Sequence, residues 1–330
     1  MKTICIAGKN NIAVDVLKFV KDNYSQFDIF AICDACDDGQ DTWQKSLRKH
    51  AHLMGVSEIT LEVAQSMEDL LFISTEYDKI IKPSRFKTKE LYNAHFSLLP
   101  KYKGMHICLL HILNGEHLGG VTFHKMDAGI DTGDIISQRK FNIDEHDSAR
   151  DLYIKLIKTG TKLVEECIPN ILAGKYQAKP QDYLDSSYNS KHAFSYSKFF
   201  VDMNQTAWNI SRQIKAMCFR EYQLPEVAGY KIFEYKITDK RSEQKPGTML
   251  GADEFSMCFS TIDYDIILFK DLFSQAITAV IDDDVEFLKK IPFLSSYRNE
   301  TYKNERLIDI AIRLNCKNTV KLLRDFEEGI

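Results

Sequence analysis

What this sequence lacks removes several classes of protein. No stretch of its 330 residues approaches the ~20 consecutive apolar positions that a membrane helix needs. The opening MKTICIAGKNN has too short an apolar run for a secretory signal, so a cytoplasmic location is the expectation. There is no basic surplus: the net charge is −4, and neither nucleic acid nor a membrane is expected as a partner. The first turn, AGKNNIA, lacks the G-x-G-x-x-G fingerprint, which leaves a nicotinamide or flavin cofactor without support. Eight cysteines lie scattered through the chain with no paired framework, as expected of free thiols in a reducing compartment. Cys33 and Cys36 form a C-x-x-C, but no second pair and no histidine at ligand spacing accompany them, so no metal is expected. No serine or cysteine sits at a recognised nucleophile elbow.

What is present reads as a globular protein, 44% hydrophobic and 27% charged, and long enough for two or three domains. KTICIAG, FDIFAIC and YDKIIK read as strands, with AVDVLKFVKDN and a polar region over 41–54 as helices between them. That alternation predicts a parallel, doubly wound α/β sheet. LYNAHFSLL, GVTFHKM and GDIISQRKFNI add strands, the last two bridged by DAGIDT. A long amphipathic helix starts near Ser148 and Asp151, and Pro169 is expected to end it. After a polar linker over 172–198, the helix QTAWNISRQIKAM precedes the strands YKIFEYKIT, GTML, FSMCFS and YDIILFK, which predict a small, mostly antiparallel domain. The last sixty or so residues repeat: Ala276 with Ala311, Val285 with Val320 and Leu288 with Leu323 each stand 35 positions apart. Ankyrin repeats have a period of ~33, and RLIDIAIRLNCKNTVKLL resembles their core, with Asp309 where a small polar residue or histidine is usual. So short an array must lean on the preceding domain, with Phe273, Ile277, Leu288 and Leu323 as its expected apolar contacts. The expected domains are 1–180, 181–270 and 271–330.

The chemistry concentrates in LYNAHFSLLPKYKG. In an extended strand Asn93 and His95, at i and i+2, face one volume. An amide can donate to a developing oxyanion, and an imidazole can move protons near neutral pH. Asp131, in the glycine-rich bridge DAGIDTGDI, can return a carboxylate to the histidine. Without a nucleophile elbow the trio suits transfer between two bound substrates. A single Asn or His in a strand is also a common structural residue, and a surface pair is the plain alternative for His124 with Asp127. Spacing alone therefore leaves an α/β enzyme with transfer chemistry open.

At NAHFSLLPKYKG, ILNGEHLGG and VTFHKMDAGIDTGDIIS, about 45 residues in order, the chain resembles the folate-dependent formyltransferases. That family includes the glycinamide ribonucleotide and methionyl-tRNA enzymes, and its pattern is N-x-H-x-S-L-L-P-x-Y-x-G, N-G-E, then G-V-T-x-H-x-M-D-x-G-x-D-T-G. The resemblance implies a Rossmann-like first domain, Asn93, His95 and Asp131 as the catalytic residues, and 10-formyltetrahydrofolate as the formyl donor. It implies further that Ser84, Arg85 and Phe86 lie along the pterin and that a loop with Met126, Asp127 and Gly129 closes over the same ring. IIKPSRFKTKE departs there from the family's usual tyrosine- and glycine-containing stretch.

The family divides by formyl acceptor. The second domain resembles that of the sugar-nucleotide N-formyltransferases, which act on dTDP-linked amino sugars of bacterial surface polysaccharides, and the ankyrin-like tail resembles one found in members acting on 3-amino-3,6-dideoxyhexoses. The expected acceptor is thus a dTDP-3-amino sugar, with a 4-amino sugar as the alternative. A non-catalytic, formyltransferase-like binding protein stays open. A homodimer is the expected assembly. For the acceptor's pyrophosphate and thymine the expected contacts are Lys9, Asn10 and Asn11 in the first βα turn, Lys101 and Lys103 after the catalytic strand, and Arg220 with Tyr222 in CFREYQL.

Overall fold

The apolar run TICIAG forms the first strand, β1 (Thr3–Gly8), and is almost wholly buried, as a strand covered on both faces must be. The structure, a computed structural model, describes residues 3–328. They divide into two compact units, one holding the residues up to His111 with 116–145 and 151–195, the other 112–115, 146–150 and Tyr196 onward.

In chain order β1 is followed by α1 (Asn10–Asn23), β2 (Asp28–Cys33), α2 (Leu47–Leu53), β3 (Ser57–Glu58), α3 (Leu61–Ser66), β4 (Leu70–Thr75) and β5 (Leu91–His95). Then come a two-residue β6 (Lys103–Gly104), α4 (Ile107–Asn114), β7 (Leu118–Lys125), β8 (Ile135–Asn142), α5 (Ala149–Leu172) and a two-residue β9 (Tyr188–Asn189). The main sheet has the order β3-β2-β1-β4-β5-β7-β8. Helix α1 turns Ile12, Ala13, Val16, Leu17 and Val20 inward at helical spacing, which is why it packs as a layer.

Three expectations are corrected. The sheet is parallel only as far as β5, since β7 runs antiparallel to both β5 and β8. The bridge over 126–134 is too short for the helical crossover that parallel β7 and β8 would require. The fourth strand is LLFIST, not YDKIIK, because LLFIST is the uninterrupted apolar run and is fully buried, whereas Asp78, Lys79 and Ile80 are exposed loop. Finally, α5 runs through Pro169 to Leu172, because a proline so near the end disturbs only the last turn.

The second unit contains α6 (Ala207–Met217) and the strands β10 (Glu226–Val227), β11 (Tyr230–Arg241), β12 (Met249–Ala252), β13 (Ser256–Phe259) and β14 (Tyr264–Lys270). These strands form an antiparallel sheet of order β10-β11-β14-β13-β12. Ile210 and Ile214 of α6 are buried in one cluster with Ile232, Met257, Ile266 and Leu268 of the sheet. Two helix pairs follow, α7 (Phe273–Ile281) with α8 (Val285–Lys290) and, after the hairpin β15 (Thr301–Tyr302) and β16 (Glu305–Arg306), α9 (Leu307–Arg313) with α10 (Lys317–Glu328). Phe273, Ile277, Leu288 and Leu323 are buried in one cluster with Phe233 of β11, so the helices share a core with the sheet.

Candidate active site

Strand pairing assembles the site. In the antiparallel pair β5·β7, Asn93 stands opposite His124 and His95 opposite Thr122, so alternation puts Asn93, His95 and His124 on one face. Asp131 arrives from the β7–β8 bridge in a left-handed conformation, φ 54°, which a non-glycine residue adopts only where its surroundings hold it. Two features hold it. Gln181 Nε2 donates to the carbonyls of Asp131 and Gly133, each at 2.8 Å. Gly133 itself lies so close to the Lys125 carbonyl that a Cβ would come within 1.9 Å of the oxygen.

Asp131 Oδ2 lies 3.4 Å from His95 Nδ1 and accepts from the Gly104 N–H at 2.9 Å. Asp131 Oδ1 lies 3.4 Å from Asn93 Nδ2 and 3.6 Å from His124 Nε2. Burial alone would raise this carboxyl's pKa. The positive charge that His95 and His124 carry when protonated, and the Gly104 N–H bond, reverse that and hold it well below the usual carboxylate range, so Asp131 is an anion at neutral pH. His95, by contrast, is pushed below its ordinary value by burial, against the pull of Asp131, so its resting form is neutral. Its Nε2 faces the Tyr102 carbonyl at 2.7 Å, and a carbonyl can only accept, which puts the proton there. Nδ1, beside Asp131, is then the nitrogen free to take a proton.

Asn93 Nδ2 is 3.3 Å from His124 Nε2. His124 Nδ1 faces the Lys125 carbonyl at 2.7 Å and so carries its ring proton, which makes Nε2 the acceptor. Both contacts of the Asn93 amide are at the weak end for hydrogen bonds, so a stronger acceptor can draw it away. His124 corrects the surface-pair reading: it is buried and packed into the site. Its register opposite Asn93 is what the sequence did not display.

These groups line a cavity of about 470 Å³. Lys9 and the loop residues Met126, Asp127 and Gly129 line it as well. Ser84, Arg85 and Phe86 do not: the first two are exposed beside it in the chain, and Phe86 is buried edge-on against Phe72 in the core. The loop from Glu76 to Ile81 takes that wall instead, because this segment is not the strand its composition suggests. Asn10 and Asn11 are also outside the lining. Asn10 Nδ2 donates to Tyr153 and Glu76, and Asn11 bonds Gln44 and Lys45.

The cations after the catalytic strand part company. Lys101 is exposed and away from the cavity, while Lys103 is buried, with Nζ 3.0 Å from Ser186 Oγ and over the Tyr183 ring. Arg220 and Tyr222 belong to the second unit. The expected nucleotide contact of Arg220 is corrected, because its guanidinium is held inside the second unit, bonding both Asp271 oxygens at 2.7 Å and Glu300 at 2.6 Å amid Phe233, Phe273 and Tyr297. Tyr222 is exposed and tilted against Phe219.

A family model described as formyl transferase matches residues 11–168. A methionyl-tRNA formyltransferase of Fervidobacterium nodosum is 32% identical over 161 residues, 49% of this chain and 50% of that protein, so the chain spans about half the length of that relative. Among solved structures, the N-formyltransferase from Helicobacter canadensis in complex with folinic acid and dTDP-3-aminofucose aligns with a TM-score of 0.76 at 38% identity, covering 82% of this chain and 100% of that one. WlaRD, a sugar 3N-formyl transferase in the presence of dTDP and 5-N-formyl-THF, aligns with a TM-score of 0.76 at 39% identity over 82% of this chain and 98% of its own. With these likenesses spanning both neighbours nearly end to end, and with Asn93, His95 and Asp131 gathered on one cavity, the chain belongs to the folate-dependent formyltransferase family.

Proposed function

We propose that this chain moves a formyl group from 10-formyltetrahydrofolate to the amine of a dTDP-3-amino-3,6-dideoxyhexose. The observation that carries the reading is the convergence of Asn93, His95, His124 and Asp131 on a single cavity of about 470 Å³. Its wall also presents Met105, Ile80 and Ile130, large apolar side chains left exposed, which suit the flat face of a pterin. The 3-amino acceptor is supported by the two neighbours at 38% and 39% identity, one described with dTDP-3-aminofucose and the other as a 3N-formyl transferase.

The folate supplies the activated formyl carbon, and the residues do the rest. The Asn93 amide leaves its long contacts to His124 and Asp131 and donates to the oxygen on which negative charge develops. His95 Nδ1 takes the proton that the attacking nitrogen loses, and Asp131 at 3.4 Å steadies the resulting imidazolium. Met126, Asp127 and Gly129 form the folate side of the site, and Lys9 offers a cation toward the acceptor's phosphates.

On this reading the chain has three parts, over 1–180, 181–270 and 271–330. The last is an ankyrin-like cap, supported by two successive helix pairs and by the hairpin between them. The protein works in the cytoplasm as a homodimer, in line with the exposed apolar Met249 and Leu250 on edge strand β12, and its product serves O-antigen or other surface polysaccharide assembly. No helix among the described residues is long and apolar enough to cross a membrane.

The test is formyl transfer from 10-formyltetrahydrofolate to a panel of dTDP-3-amino and dTDP-4-amino sugars, glycinamide ribonucleotide and methionyl-tRNA. Transfer to the 3-amino sugars, in preference to the rest, is expected. Turnover of any other acceptor in their place overturns the reading.

A further inference from the structure

Glu76 also faces the cavity, and its surroundings differ from those of Asp131. Glu76 follows β4 in a left-handed conformation, φ 57°, and Asn10 follows β1 with φ 64°. Strands β1 and β4 are neighbours, and the chain leaves them in opposite directions, through β2 and β3 on one side and β5 on the other. The crevice outside their carboxyl ends is therefore the topological switch point, where open α/β sheets receive ligands.

Every group that bonds Glu76 is a neutral donor. The Tyr153 hydroxyl lies 2.9 and 2.8 Å from its two oxygens, and Asn10 Nδ2 donates to Oε2 at 3.2 Å while also holding the Tyr153 oxygen at 2.9 Å. Lys9, next along the first turn, is engaged by Asp78 at 2.7 Å. Among the described residues no lysine, arginine or histidine forms an ion pair with Glu76, whereas Asp131 has His95 and His124, Glu234 has Lys215, and Glu300 has Arg150 and Arg220. The other titratable groups facing it are Cys108 of α4, Lys9 and Asp78, with His95 on the same cavity wall. Glu76 is half-buried, and a carboxylate withdrawn from water without a cation is costly unless a ligand brings one.

We propose that Glu76 receives the ammonium group of the incoming amino sugar and takes its proton, delivering a neutral amine to the formyl carbon. This rests on the acceptor reading above. In the step an N–H bond breaks and an Oε–H bond forms, so the ammonium and the carboxylate become a neutral amine and a carboxylic acid. Both lose charge together inside the cavity. His95 remains in charge of the proton released later, when the amine has attacked. Burial pushes the Glu76 carboxyl up to about 7, against the Tyr153 and Asn10 bonds that pull it down, and a base poised near the working pH exchanges protons with an ammonium efficiently. Tyr153 and Asn10 are positioning residues for it.

The experiment compares wild type with Glu76→Gln across pH, using a dTDP-3-amino sugar and 10-formyltetrahydrofolate. Glu76→Gln is expected to lose about 100-fold in kcat/KM for the amino sugar at neutral pH. The gap should close as the medium rises above about 8, where such an amine is already neutral. Affinity for dTDP, which has no amine, should be the same in both proteins. In a chain that keeps Glu76, Tyr153→Phe removes a donor to the carboxylate, so the acid limb should move to higher pH. A loss constant across pH, a Glu76→Gln protein within threefold of wild type at neutral pH, or an acid limb unmoved by Tyr153→Phe overturns the assignment and leaves the acceptor reading standing. If wild type formylates no dTDP-amino sugar, the acceptor reading fails and this assignment goes with it.

Discussion

The two units each bury a cluster of charged and polar side chains, and the clusters are built to opposite specifications. In the first unit Asp131, His95, His124 and Asn93 stand 3.3 to 3.6 Å apart around an open cavity. In the second, Arg150 bonds Glu221 at 2.8 to 2.9 Å, and Arg220 bonds Asp271 and Glu300 at 2.6 to 2.7 Å, within a packed aromatic core. Long contacts leave hydrogen-bonding capacity for a ligand. Short ion pairs neutralise their charges within the core, so the second cluster ties β14, α6 and the C-terminal helices together. Burial and charge are common to both; the difference lies in whether each donor already has its acceptor.

That contrast can be broken most severely at Arg220. Arg220→Met removes the cation that neutralises Asp271 and Glu300, and loss of one partner from a buried ion pair costs about 3–5 kcal/mol. Chemical denaturation should show the loss. A variant as stable as wild type would mean that the network is not structural, and would return Arg220 to the ligand side. The catalytic cluster should respond in the opposite way. His95→Asn and Asn93→Ala should keep near-native stability while turnover falls roughly 10²-fold and 10²–10³-fold. If His95→Asn retains more than about a tenth of the rate, the imidazole does not manage the proton.

A smaller effect sharpens the comparison through pH. Burial holds the His95 pKa below its ordinary value, so above about 6.5 the neutral ring fits its site in the folded chain. As pH falls through that range the unfolded chain takes up a proton before the folded one does, and the stability contribution of His95 is lost. The stability difference between wild type and His95→Asn should therefore shift against wild type on acidification from about pH 7 to 5. A difference that stays constant over that range would show that the site does not hold His95 neutral.

The sequence by itself determined the strands that line the reaction, the pairing of Asn93 with His95 on one face, and the Asp131 bridge, because these are carried by short-range periodicity and by a long ordered motif. Strand β7 was legible, but its direction was not, and with it went His124, whose place opposite Asn93 depends on pairing across the sheet. Glu76 was invisible for the same reason: nothing in STEYDK announces a carboxyl that faces Asn10 and Tyr153, partners 66 and 77 positions away. Arg220 beside Tyr222 looked like a ligand cation because a sequence displays a charge without its counter-charge. Only the tertiary structure supplied Asp271 and Glu300, 51 and 80 positions along, and so decided which buried charges were already satisfied and which still had room for a substrate.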